Sequence, residues 1–149
     1  MWDPHTPYDT PEDFGNPFKD DPIEEWVTEE LIQKQRNSFG PHSAREVPGF
    51  DEDLGGKYTM GVGEIKNTSD AKEQIDAYDT GIKYADFYLN KVFEDLKKMN
   101  LWDDTAIIIS ADHGENQGEL NVWGDHQTAD HITNRVPLII RWPGITDTN

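Results

Sequence analysis

Apolar and polar positions follow a helical period over one long stretch of the chain. Ile75, Tyr78, Ile82, Ala85, Leu89, Val92, Leu96 and Met99 recur at spacings of three and four. That is one continuous helical face, with Asp, Lys, Glu and Asn on the other side. Ser69 and Asp70 can cap its start, Lys97 and Lys98 suit the negative end of the helix dipole, and Asn100 can end it. The pattern predicts a helix over residues 69–100. Tyr78 and Ala85 weaken the stripe as a coiled-coil seam, so packing on a sheet is its expected use. Residues 105–110 follow directly as a short β-branched run, apolar on both faces, which suits a buried central strand. Residues 136–141 read as a second strand, closed by Trp142, Pro143 and Gly144. Helix, buried strand, polar loop and strand together predict an α/β fold.

The pattern thins towards the N-terminus. Residues 1–68 are rich in Pro, Gly and acid. One short helix is expected there, over residues 22–35, with Ile23, Trp26, Val27, Leu31 and Ile32 as its apolar stripe. The rest, including Gly40-Pro41 and Gly55-Gly56, reads as surface loop. A loop region of this length usually carries function or covers something larger.

Composition sharpens the picture. The 149 residues allow one domain at most. Apolar residues make up 34%, and with the 12 glycines the total reaches about 42%, below the ~45–50% of an ordinary globular domain. The core is therefore thin for the length. Thirty acidic residues against 13 basic ones give a formal net charge of −17. That surface repels phosphate backbones and disfavours nucleic acid as a partner. It also disfavours a highly anionic polysaccharide. No apolar run reaches the ~20 residues of a membrane helix. The N-terminus shows no charged leader followed by an apolar stretch. The chain has no cysteine, which excludes disulfides, thiolate metal sites and cysteine nucleophiles within it.

Candidate chemistry lies at the carboxyl end of the first strand, where open α/β sheets bind ligands. There Asp112 and His113 emerge together, and Gly114 permits a tight turn. A hard carboxylate oxygen beside a borderline imidazole nitrogen suits a divalent cation. The same residues would also serve as a plain turn bonding its own backbone. His113, His126 and His131 are three of the five histidines and lie close together in sequence, alongside Asp112, Asp125 and Asp130. A loop between two strands needs no such density in order to fold. A second candidate is His5. Prolines on both sides, Pro4 and Pro7, stiffen its loop, and a histidine so aimed can act as general acid.

These pieces resemble the sulfatase family of the alkaline-phosphatase superfamily. The residues that carry the resemblance are Pro4-His5-Thr6-Pro7-Tyr8, the long helix, Ser110-Ala111-Asp112-His113-Gly114-Glu115, and Arg135-Val136-Pro137-Leu138-Ile139-Ile140-Arg141-Trp142-Pro143-Gly144. They occur in the family's order and at similar spacing. The resemblance implies a segment of an alkaline-phosphatase-like sandwich, with a mixed, mainly parallel sheet flanked by helices. It implies a loop-rich active-site region over residues 1–68, the long helix over 69–100, and strand, metal loop and strand over 105–144. Asp112 and His113 match the family's late pair of metal ligands. Calcium is the family default, although an imidazole at His113 also suits manganese or zinc. His5 matches the histidine that contacts the sulfate or protonates the leaving oxygen. His126 stands where many sulfatases place a lysine. The implied activity is hydrolysis of a sulfate ester, on a small molecule or a sulfated glycan. A phosphodiester or phosphonate monoester hydrolase of the same superfamily would use the same Asp–His pair, and a non-catalytic remnant that binds metal or anion is the alternative of another class. The family's nucleophile is a formylglycine made in a Cys/Ser-x-Pro-x-Arg motif, and this motif is absent here. The early pair of Asp ligands has no counterpart either. The chain is therefore expected to be an internal segment of a catalytic domain, inactive alone.

Overall fold

In a computed structural model, the structure describes residues 4–38, 40, 42–48 and 62–146. Helix α1 spans Glu29–Arg36 and the long helix α2 spans Thr68–Lys98. Strand β1 (Ile107–Ser110), β2 (Asn116–Gln117), β3 (Trp123–Asp125), the short helix α3 (His131–Asn134) and β4 (Leu138–Arg141) follow. Two antiparallel pairs form, β1 with β4 and β2 with β3. In the first, Ile108 faces Ile140 and Ile109 faces Ile139.

Both predicted helices are present, with moved boundaries. α1 begins later than expected, because Thr28 caps it through a hydrogen bond from the Leu31 N–H. Residues 22–27 turn instead. They still deliver Ile23 and Val27 to the core, while Trp26 stays exposed. The cap of α2 is Asn67, whose side chain accepts from the Ser69 and Asp70 N–H groups. Ser69 and Asp70 are thus the capped residues rather than the caps. Pro41, Gly55 and Gly56 lie outside the described residues.

The core gathers Val27, Ile32, Ala44, Val47, Ile65, Ala71 and Trp123. Trp123 is its centre. Its indole N–H donates to Gln35 Oε1 at 3.0 Å, and its backbone N–H to the His42 carbonyl at 2.8 Å. Gln35 in turn donates to the Gly118 carbonyl at 2.7 Å. One buried indole therefore joins α1, the segment after it and the β2–β3 turn. Gly118 is required there: its φ is +114°, and a Cβ would lie 2.5 Å from the Trp123 ring.

The burial of α2 differs from the expected stripe. Ala71, Gln74, Ala77, Thr80 and Gly81 are buried, whereas Ile82, Val92 and Met99 are exposed. The buried half meets Pro4 at Gly81, Tyr8 at Tyr78 and Gly124 at Gln74. β1 is not the doubly buried strand the β-branched run predicts. Its residues alternate between half-buried and exposed, with Ile108 62% exposed, and the strand pairs only with β4 among the described residues. The pairings described are antiparallel, not the mainly parallel sheet that the resemblance implies.

Candidate active site

The turn after β1 is pinned from below. The Gly114 N–H donates to the Thr133 carbonyl at 2.7 Å. A Cβ on Gly114 would lie 2.3 Å from the Ile132 carbonyl oxygen. Glycine is needed here for close approach to α3, since its φ is not among the positive ones. That contact fixes Asp112 and His113 above α3. α3 itself begins on Asp130, whose carboxylate accepts from the Ile132 and Thr133 N–H groups and from Asn116 Nδ2. The Thr128 hydroxyl also bonds it. These donors, Thr128 foremost, hold the Asp130 carboxyl well below the usual carboxylate range.

Core order passes to His126 through β3. Trp123 fixes the strand, and Asp125, buried two residues on, accepts the His126 N–H at 2.8 Å. The other oxygen of Asp125 lies 3.6 Å from His42 Nε2. The His126 ring stacks on His113 with centroids 3.7 Å apart and 20° between planes. His5 meets it edge-on at 6.1 Å. Residues separated by over a hundred positions in sequence thus converge, and three of the four candidate side chains are these imidazoles. The fourth, Asp112, is 90% exposed, with its oxygen 3.8 Å from His113 Nε2. Hydrogen bonds within its own turn, and then the neighbouring His113, hold its carboxyl below the ordinary value. His131 does not join them; it is exposed at the start of α3.

The hydrogen bonds assign ring nitrogens. His113 Nδ1 lies 2.9 Å from the Gly114 carbonyl and His5 Nδ1 2.6 Å from the Thr6 carbonyl. A carbonyl only accepts, so Nδ1 carries the proton in both rings. The lone pair of neutral His113 is then on Nε2, the state of a metal-ligating imidazole. Asp112 and His113 therefore offer one hard oxygen and one nitrogen, a donor set that fits a divalent cation. Among the described residues no group of three potential ligands assembles, so this pair would be a partial coordination shell.

Two residues of the site were not singled out from the sequence. Glu115 has a side chain only 5% exposed and binds His126 Nδ1 through Oε1 at 2.8 Å. Tyr8 is buried; its hydroxyl donates to Glu115 Oε2 at 3.2 Å and accepts from Gln117 Nε2 at 2.7 Å. Burial, and then the Glu115 charge, push the Tyr8 phenol far above its usual value and Tyr78 up to about 12. The available signal was the Glu that follows Asp-His-Gly: a carboxylate next to a turn already full of polar groups.

The chain is thus an α/β segment whose loops gather imidazoles and carboxylates beside a metal-compatible pair. A family profile, Sulfatase, matches residues 3–148, and the chain belongs to that family. It is 28% identical over 146 residues to a choline-sulfatase of Rhizobium meliloti (strain 1021), covering 95% of this chain and 25% of that protein. It is also 32% identical over 89 residues to lipoteichoic acid synthase 1 of Bacillus subtilis (strain 168), covering 54% and 14%. The chain therefore spans a quarter or less of the length of these curated relatives. No helix of the described residues is long and apolar enough to cross a membrane.

Proposed function

We propose that the chain is part of the catalytic domain of a metal-dependent sulfatase, which hydrolyses a sulfate ester on a small molecule or sulfated glycan. The observation that carries this reading is the convergence of His5, His113 and His126 beside Asp112, in a chain that the family profile covers almost entirely. Asp112 and His113 Nε2 would hold the cation, calcium by family default, or manganese or zinc because one donor is an imidazole. The bound cation would supply Lewis acidity towards the sulfate oxygens, and a formylglycine from outside these residues would supply the nucleophile.

The remaining roles belong to side chains of this chain. His5, with Nδ1 bound to the Thr6 carbonyl, exchanges its second proton at Nε2 and protonates the departing alcohol oxygen. His126 takes the place of the family lysine and hydrogen-bonds the sulfate. The mainly parallel sheet is completed by strands outside this chain, which gives the exposed apolar faces of β1, β4 and α2 their cover. A phosphate-ester substrate is the second reading. It is favoured by His113, since an imidazole ligand suits the zinc of a phosphatase better than calcium.

The test compares the longer protein with this chain alone on a model aryl sulfate and a model phosphodiester, each with a metal-only control. The expected outcome is sulfate release by the longer protein, abolished by chelation, and none by this chain. Sulfate release by the chain alone overturns the partial-domain reading. Phosphate release without sulfate release replaces the substrate class.

A further inference from the structure

The turn that carries Asp112 and His113 is tied at its start, middle and end to the segment 128–137. At its start the Ser110 hydroxyl donates to the Pro137 carbonyl at 2.9 Å. In its middle the Gly114 N–H donates to the Thr133 carbonyl at 2.7 Å. At its end the Asn116 amide donates to Asp130 Oδ2 at 3.1 Å and to the Thr128 hydroxyl at 3.2 Å. Asn116 is fully buried, so water does not compete for these bonds. Asp112 adds little to this hold. Its side chain is 90% exposed, and its oxygen accepts the His113 N–H of its own turn. The segment that receives the ties is itself gathered by one side chain. Asp130 Oδ1 accepts the Ile132 N–H at 2.6 Å and the Thr133 N–H at 3.1 Å, which fixes the start of α3. Its Oδ2 takes the Asn116 amide and the Thr128 hydroxyl. Thr133 is buried and donates its hydroxyl back to the Thr128 carbonyl. One carboxylate thus bonds both α3, on which Gly114 rests, and Asn116, where the turn enters β2.

We infer that Asp130 is a positioning residue for the metal pair: through α3 and Asn116 it holds the Asp112–His113 turn in a shape that offers both donors to one divalent cation. The inference rests on the metal reading of that pair proposed above. Its physical basis is ordering. The Asp112 oxygen and His113 Nε2 lie 3.8 Å apart. Metal–ligand bonds of about 2.0–2.2 Å let one ion reach both atoms at that separation. On a loose turn the backbone would be ordered only as the ion bound, and that entropic cost would be subtracted from the affinity. With the brace the turn is ordered during folding, before any ion arrives, which is how supporting residues keep a site in its productive geometry. Asp130 touches neither donor. It acts on them only through the Gly114 N–H and the Asn116 side chain.

The test titrates Mn2+ alone, without substrate, into the longer protein and into this chain. Affinity is read by calorimetry, and the place of binding by paramagnetic broadening of NMR signals. In the wild type the broadening should centre on His113. Asp130→Ala should weaken Mn2+ binding by about 10-fold. Asp130→Asn, whose amide oxygen still caps α3, should restore part of it. The control for plain destabilisation is Asn67→Ala, which removes a cap of the same kind from α2. It should leave the Mn2+ affinity of the folded protein unchanged. Wild-type affinity in Asp130→Ala overturns the inference, as does an equal loss in Asn67→Ala, which would make the effect one of general stability. If Asp130→Ala fails to fold, Thr133→Val decides by the same reading. It keeps the carbonyl that Gly114 meets and removes the hydroxyl bond to Thr128. Weaker Mn2+ binding in it supports the brace, and unchanged binding overturns it. Failure of the metal reading looks different. The wild type would then show no broadening at His113, and the pair and its brace would fall together.

Discussion

The two halves of α2 carry one sequence pattern and meet two different fates. In residues 71–81 the buried side chains are small or polar: Ala71, Gln74, Asp76, Ala77, Thr80 and Gly81. They lie against the N-terminal loop and the β2–β3 hairpin, and the imidazole site stands on that contact. In residues 82–99 the apolar stripe continues, but Ile82, Val92 and Met99 face solvent, with Val92 54% exposed. β1 and β4 share this condition: Ile108 is 62% and Leu138 66% exposed. The site half is held by directional bonds around one indole. The other half leaves large apolar side chains exposed, and exposed apolar surface of this kind marks an interaction surface. Apolar periodicity locates a face that needs a cover. It does not say whether the cover is in the same 149 residues.

Removing the indole is the strongest way to break this contrast. Trp123 is fully buried and bonds both Gln35 and the segment at His42. Trp123→Ala should cost about 3–5 kcal/mol in urea unfolding followed by circular dichroism. The His113–His126 ring stacking should be lost with it, seen as loss of their ring-current shifts. A cost below about 1 kcal/mol would mean that the site half has some other support.

A smaller and more local test lies at Gly114. An alanine there would place its Cβ against the Ile132 carbonyl oxygen at 2.3 Å, so α3 or the Asp112–His113 turn must move. Gly114→Ala should destabilise by about 1–3 kcal/mol in the same unfolding measurement. Gly40→Ala is the matched control, because nothing lies within 4 Å of its added carbon. Equal behaviour of the two variants would contradict the close approach as the reason for glycine.

The pattern of agreement with the sequence reading has a physical basis. α2 was legible because thirty-one residues of helical period leave no other solution, and its cap shifted only from Ser69 to Asn67. His113 and His126 were legible as candidates because histidine density in a polar loop is rare without a use, and His5 because prolines on both sides stiffen its loop. Their meeting was not legible, since it depends on Trp123 tying β3 to Gln35 and His42, more than 80 residues away, and on the Tyr8 turn, more than a hundred residues from Glu115 and Gln117. Glu115 was passed over because its role comes from Tyr8, at the other end of the chain. The burial of β1 was misread for the opposite reason. A β-branched run says what environment a strand suits, and its partners decide whether it is covered. Among the described residues β1 has only β4.

Acid should loosen the site half in a defined window. The Asp130 carboxyl sits below its ordinary value of 3.8 because Thr128, Asn116 and the first N–H groups of α3 bond its ionised form. A depressed folded value means that the ionised group stabilises the fold. That contribution is whole above about 3.8, the unfolded value, and is lost as pH falls through the lower folded value. Melting temperatures of wild type and Asp130→Asn should therefore differ by a constant amount from neutrality down to about pH 4, and converge below it. A gap that widens in acid would reverse the sign and refute the assignment.

The smallest expected effect bears most directly on the uncovered half. Ile139 lies on β4 opposite Ile109 and is 59% exposed. In this chain alone, Ile139→Thr removes little buried surface and keeps a β-branched residue in the strand, so its stability should change by at most about 0.5 kcal/mol. Self-association, followed by light scattering, should fall, because an apolar face has been interrupted. In the longer protein the same hydroxyl would enter a covered sheet without a partner, and the cost should rise to about 1–3 kcal/mol. It is the difference between the two contexts that matters. Equal small costs in both would mean that β4 stays open in the longer protein and that the proposed sheet does not continue past it. A large cost in the chain alone would mean that this face is already covered by a second copy, and the concentration dependence of the unfolding midpoint would show it.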